Sequence, residues 1–162
     1  MKENDSKPDA LALAFKLLGL RSHSRDELEQ KLTRKGCEPS GIVRAMERLT
    51  ELGVLNDRAF AMEVISSRSR RKPSGMPAMR YLLRKKGVND SVADELLRDY
   101  DSSELCLQAA AKKILVLRGK SAEERKRKLE RFLHSRGFEW QEIQKALKLL
   151  PQVGAEGEES EA

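Results

Sequence analysis

Apolar residues recur along this chain with helical spacing almost from end to end. Leu11, Ala14, Phe15 and Leu18 fall at i, i+3, i+4 and i+7, the inner face of a first helix. Ile42, Ala45, Met46 and Leu49 repeat the arrangement, and Ile143, Ala146, Leu147 and Leu150 do so near the end. No run alternates β-branched and polar residues between turn signals, so the pattern predicts helices and no strands. Caps and breakers divide the helices. Asp9 is placed to cap the first, and Ser24-Arg25-Asp26-Glu27 and Ser121-Ala122-Glu123-Glu124 have the form of capping boxes, glutamate reaching back to the cap amide. Pro39 suits the first turn of the third helix, Asp57 reads as the cap of the fourth, and Pro73-Ser74-Gly75 ends that helix.

Three glycines set a register. Gly36, Gly87 and Gly137 are 51 and 50 positions apart. Leu32, Leu83 and Leu133 stand four before them; Leu28, Met79 and Leu129 stand eight before; Met46, Leu97 and Leu147 stand ten after. Arg68 and Arg118 each lie 19 before their glycine. Any amphipathic helix ending in glycine shows part of this pattern, but agreement at so many offsets in three copies predicts an internal repeat. The expected fold is all-α: three tandem three-helix repeats forming an elongated, curved array. The expected division is a disordered N-terminus at 1–8, repeats at 9–55, 56–100 and 101–151, and a disordered acidic tail at 152–162.

Composition agrees with helices. Aromatics are 4% of the residues, so leucine and alanine must fill the interior. Cys37 and Cys106 are too few for a disulfide framework or a zinc cluster and read as packing residues of a reduced compartment. No apolar run approaches the roughly 20 residues that span a bilayer. Ala10–Leu20 contains Lys16 and follows an acidic lead, unlike a signal peptide. A cytoplasmic monomer without membrane contact is expected.

Charge is unevenly placed. The net charge is +6, yet 22–57 carries six basic and seven acidic residues while 112–136 carries ten basic and three acidic. Between Val64 and Asn89 there is no acidic residue. Arg68, Arg70, Arg71 and Lys72 close one helix there, and Arg80, Arg84, Lys85 and Lys86 ride the next. Lys112, Lys113, Arg118, Lys120, Arg125, Arg127, Lys128, Arg131 and Arg136 form the counterpart in the third repeat. Cations near helix C-termini are ordinary, but an acid-free run of this length points to an acidic partner, nucleic acid or protein. The candidate binding residues are Arg68, Arg70, Arg71, Lys72, Arg80, Arg84, Lys85, Lys86, Lys112, Lys113, Arg118, Arg125, Arg127, Lys128 and Arg131.

No catalytic residue, metal ligand or cofactor is predicted. His23 and His134 stand in no metal spacing and read as exposed or helix-end histidines. The glycines end helices and form no phosphate loop. Trp140 reads as a packing anchor, and with Tyr81 and Tyr100 it makes no interleaved platform for stacked bases. A helix-turn-helix formed by 25–36 and 40–52 would present Glu47 and Glu51 to the major groove, which argues against sequence reading.

Ser24-Arg25-Asp26-Glu27-Leu28, Leu32 and Lys35-Gly36 resemble the opening pattern of the RecX regulatory proteins. So does 53–61, Gly-Val-Leu-Asn-Asp-Arg-Ala-Phe-Ala, followed by Arg68, Gly75, Leu83 and Lys86-Gly87-Val88. The third repeat departs from the pattern, with Ser135-Arg136-Gly137 in place of Lys-Lys-Gly. The resemblance implies tandem three-helix units and a negative regulator of the RecA recombinase. Such a protein binds RecA and its filament on single-stranded DNA and inhibits ATPase, strand exchange and co-protease activity, with direct nucleic-acid contact open. The alternative is a non-specific DNA-binding helical module acting independently of RecA.

Overall fold

The computed structural model describes residues 7–118 and 120–150. Most of the expected N-terminal segment and the acidic tail lie outside the described residues. Nine helices and no strand occur among the described residues: α1 (Ala10–Leu20), α2 (Arg25–Arg34), α3 (Pro39–Glu51), α4 (Asp57–Arg71), α5 (Met76–Lys85), α6 (Asp90–Leu97), α7 (Ser102–Val116), α8 (Ala122–Ser135) and α9 (Trp140–Leu149). The all-α reading with three tandem three-helix repeats holds.

Each second helix of a repeat ends in the same way. Gly36, Gly87 and Gly137 take φ of 81°, 78° and 78°, a left-handed conformation that costs a Cβ-bearing residue energy. The amide of each glycine bonds the carbonyl three residues back, and the next amide bonds the carbonyl of Leu32, Leu83 or Leu133. These bonds satisfy carbonyls that the helix end leaves without partners. They also turn the residue after glycine inward, so Cys37, Val88 and Phe138 are all buried. The leucines four before and Leu28, Met79 and Leu129 eight before are fully buried, each contributing roughly 1.5–3 kcal/mol.

The chain forms two compact units, Met1–Val64 with Leu82–Leu96 and Ile65–Tyr81 with Leu97–Ala162. In unit 1, Ala10, Ala14, Leu28, Leu32, Ile42, Ala45, Met46 and Leu49 make one core, edged by Leu11, Leu13, Leu17 and Leu18. The small residues Ala10 and Ala14 let α1 lie close to α3. A Cβ on Gly41 would stand 3.8 Å from that of Ala10. Phe15 falls on the outer side and is exposed, contrary to the sequence expectation. In unit 2, Cys106, Ala110, Ile114, Leu129, Leu133, Ile143 and Leu147 form the second core. The middle repeat has no comparable cluster of its own among the described residues. Its buried Phe60, Ala61, Leu83, Val88 and Ala93 belong to unit 1, and Met79 and Leu97 to unit 2.

Several expected caps are confirmed and others corrected. Asp9 accepts from Leu11 N and Asp101 from Glu104 N. Ser24 and Ser121 cap as expected, accepting from Glu27 N and Glu124 N. Their glutamates do not reach back. Glu27 is drawn to Arg21 and Glu124 to Lys120 and Lys128, because a guanidinium or ammonium outcompetes a neutral amide for a carboxylate. Asn56, not Asp57, caps α4 by accepting from Ala59 N, while Asp57 accepts from Arg25 N at 2.7 Å. His23 is buried rather than exposed, its Nδ1 2.8 Å from Arg21 O and its Nε2 2.9 Å from Lys31 Nζ.

Candidate functional site

The cations fall unequally between the units. Twelve of the fifteen candidates lie in unit 2: Arg68, Arg70, Arg71, Lys72, Arg80, Lys112, Lys113, Arg118, Arg125, Arg127, Lys128 and Arg131. Arg84, Lys85 and Lys86 lie in unit 1. Arg84 is held by Asp90 through two bonds of 3.0 and 3.1 Å, which raises its pKa further. Lys128 pairs with Glu124 at 2.9 Å, and Lys128 and then Lys120 hold the glutamate carboxyl below the usual carboxylate range. By contrast, exposed Arg70, Arg71 and Lys72 at the end of α4 make no side-chain hydrogen bond or ion pair with another described residue, and neither do Lys112, Arg127 and Arg131.

Inside unit 2 one corner concentrates half-buried cations. The turn Pro73-Ser74-Gly75 is buried against the turn that ends α8. Gly75 N donates to Arg136 O at 3.0 Å, and Tyr100 Oη donates to Ser74 O at 2.7 Å. Met76 N donates to Ser102 Oγ at 3.3 Å. Arg68 Nε reaches Ser74 Oγ at 3.2 Å. The approach at Gly75 excludes any side chain, since a Cβ would stand 1.9 Å from Gly137 O. Lys113 Nζ and Arg136 Cζ lie 5.1 and 4.7 Å from the centre of the Phe132 ring, within cation–π range. Burial first, and then the charge of Arg68, lower the pKa of Arg136.

This chemistry suits polyanion binding. Among the described residues no three His, Cys, Asp or Glu side chains are grouped to hold a metal ion. Burial pushes the Cys106 thiol up to about 12, so it is protonated at neutral pH. No helix of the described residues is long and apolar enough to cross a membrane. Trp140 is not the packing anchor expected; it is 62% exposed at the start of α9, and Tyr81 is also exposed. The register carries the signal. Pro39 and Asp90, also three residues after their glycines, are exposed helix starts as well.

Comparison with known proteins decides the family. Residues 10–49 match the family model described as RecX, first three-helix domain; 56–97 match the second and 99–147 the third. The chain belongs to the RecX family. Regulatory protein RecX of Pelodictyon phaeoclathratiforme is 55% identical over 159 residues, covering 98% of this chain and 99% of its own. That of Chlorobium limicola is 46% identical, covering 94% and 96%. The crystal structure of RecX from Lactobacillus salivarius shares the fold, with a TM-score of 0.76 at 22% identity over 88% of this chain and 94% of that one. The three RecX domains follow the register of Gly36, Gly87 and Gly137, and a regulatory role comes with the family.

Proposed function

We propose that this RecX-family chain is a negative regulator of the RecA recombinase. It binds RecA and the RecA filament on single-stranded DNA, and it inhibits ATP hydrolysis, strand exchange and the co-protease activity that drives the SOS response. It acts as a cytoplasmic, non-catalytic monomer, and its cations contact acidic protein and nucleic acid within the filament. The observation that carries the reading is the RecX match through all three repeats. The exposed cations Arg70, Arg71 and Lys72, unpaired among the described residues, support it. An exposed guanidinium with no carboxylate partner has no internal competitor to displace before meeting an anion.

The test is ATP turnover by RecA on single-stranded DNA at substoichiometric amounts of this protein. Turnover is expected to fall. The folded triple variant R70Q/R71Q/K72Q is expected to need at least about tenfold more protein for the same inhibition. Full inhibition by that variant removes the α4 end from the interface. DNA binding by the wild type with RecA turnover unchanged would instead establish the independent DNA-binding module.

A further inference from the structure

Two features stand at one corner of unit 2, a half-buried set of cations and an exposed indole. The first is a set of three half-buried cations, none of them ion-paired with a carboxylate among the described residues. Arg68 is fixed through Ser74, Arg136 through its carbonyl bond to Gly75, and Lys113 and Arg136 share the Phe132 ring. Burial of Arg136 and the nearby charge of Arg68 both disfavour its guanidinium. Glu142 of the adjoining α9 faces this corner from the side of Tyr100, where its charge and that of Arg68 act in opposite senses. Its carboxylate accepts from Glu139 N at 2.7 Å and pairs with none of the three. Like charges held together in a half-buried corner are costly when empty, and an oxyanion seated among them relieves the cost.

The second feature is Trp140. It stands four residues beyond Arg136, at most about 14 Å away along the chain, and is 62% exposed. The buried Phe138 between them fixes the turn. Across the same contact, Ala78 of α5 lies against Gly137, and Tyr81, one helical turn further on, is 66% exposed. Cations paired with open aromatic faces are what a flexible strand of phosphates and bases requires. A duplex hides its base faces, and a protein carboxylate would use the cations but leave the indole idle.

We propose that the α8–α9 corner is a binding site for single-stranded nucleic acid, in which Arg68, Lys113 and Arg136 hold a phosphodiester and Trp140 stacks on a neighbouring base. This rests on the nucleic-acid contact proposed above and gives it an address.

The chain has one tryptophan, so its emission reports on this corner alone. The probe is dye-labelled dT15, followed by anisotropy across a salt series and by quenching of Trp140. Wild-type protein is expected to bind with quenching. Trp140→Ala is expected to weaken binding roughly tenfold with the salt slope unchanged. The double variant K113Q/R136Q is expected to flatten the slope by about 1.4, and K113Q alone by about 0.7, since each phosphate contact on a single strand contributes about 0.7. K113Q leaves Arg136 in place on the Phe132 ring and serves if the double variant fails to fold. Absence of quenching at saturating dT15, or full affinity in the Trp140→Ala protein, would overturn the site. Equal binding and quenching by polyglutamate would overturn it too, showing a surface for acidic protein. Inhibition of RecA turnover by a wild type that neither binds dT15 nor quenches refutes this inference and leaves the regulatory reading standing; dT15 binding with quenching and no effect on RecA does the reverse.

Discussion

Each unit contains one seam where a repeat meets the next, and the two seams are built on the same plan with different atoms. In unit 1 the start of α2 receives the end of α5: Ser24 Oγ donates to Lys86 O, and the first amide of α2, Arg25 N, donates to the Asp57 carboxylate. In unit 2 the start of α5 receives the end of α8: Gly75 N donates to Arg136 O, and the first amide of α5, Met76 N, donates to the Ser102 hydroxyl. Lys86 and Arg136 occupy the same register position, one before the turn glycine. Both solutions satisfy groups that helix ends leave open. The unit 1 seam carries carboxylates, with Asp26 beside Gly87, Asp57 on Arg25 and an Arg58–Glu95 pair. In the unit 2 seam the Ser102 hydroxyl accepts where the Asp57 carboxylate does in unit 1, and a backbone amide donates where the Ser24 hydroxyl does. One substitution pattern therefore explains two properties at once: the tighter backbone approach in unit 2, and the cations left there without acid partners.

The largest effect expected from this comparison is at Gly75. Its substitution by alanine would bring a Cβ to 1.9 Å from Gly137 O and 2.4 Å from Gly137 C, so backbone must move apart. A loss of about 3 kcal/mol is expected, a drop of roughly 6–12 °C in Tm for a chain of this size. Ser24→Ala, at the same seam position in unit 1, removes the cap on Glu27 N and the bond to Lys86 O but adds no clash. It should cost about 1–2 kcal/mol. Thermal unfolding followed by circular dichroism measures both; equal losses would mean that the seams differ in atoms only.

A narrower test separates backbone strain from seam contact. Gly36 and Gly137 have nearly the same φ, but a Cβ at Gly36 meets nothing within 4 Å, whereas one at Gly137 meets Ala78 Cβ at 2.6 Å. Gly36→Ala should cost about 1 kcal/mol, the left-handed penalty alone, and Gly137→Ala about 2–3 kcal/mol. Urea midpoints that agree within error would show that the contact with Ala78 carries no weight.

The scaffold was legible in sequence because buried leucines and turn glycines answer to local rules. Leu32, Leu83 and Leu133 must face inward if the helix ends four residues later, and the structure keeps that register to the residue. What escaped were choices that a distant part of the chain makes. Nothing local decides between Asn56 and Asp57 as a cap; Arg25, 32 residues away, takes the aspartate and leaves the asparagine. Glu27 completes no capping box because Arg21 competes for it. The candidate cations were legible as a list, but not their sorting. Position in sequence cannot show that Arg84 is neutralised by Asp90 while Arg70 has no such partner among the described residues. Trp140 was misread because large aromatics are usually buried, although its register position, shared with Pro39 and Asp90, belongs to solvent.

The smallest expected effect turns on a buried histidine beside the unit 1 seam, where unit 2 has the non-titrating Ser74 in the same register. His23 lies beside its seam, accepting from Lys31 Nζ through Nε2 and therefore donating from Nδ1 to Arg21 O. Burial first lowers the pKa of His23, and the charges of Arg21 and Lys31 add to that, against the backbone bond to Arg21 and the opposing pull of Glu27. A second proton would have to sit on Nε2, against the Lys31 ammonium. The sign follows: with the folded pKa below the unfolded value of about 6.5, the neutral ring stabilises the fold fully above that value, and the contribution is lost as pH falls. Tm should therefore drop from pH 7 to pH 5.5, a window kept above the titration of Glu27, whose carboxyl Arg21 holds below its usual range. His23→Gln retains a donor and an acceptor without a titrating ring, so its Tm should change less over the same window. If the variant shows the wild-type slope, the acid sensitivity arises elsewhere. If the slope disappears, the polar seam of unit 1 is the pH-dependent one and the backbone seam of unit 2 is not.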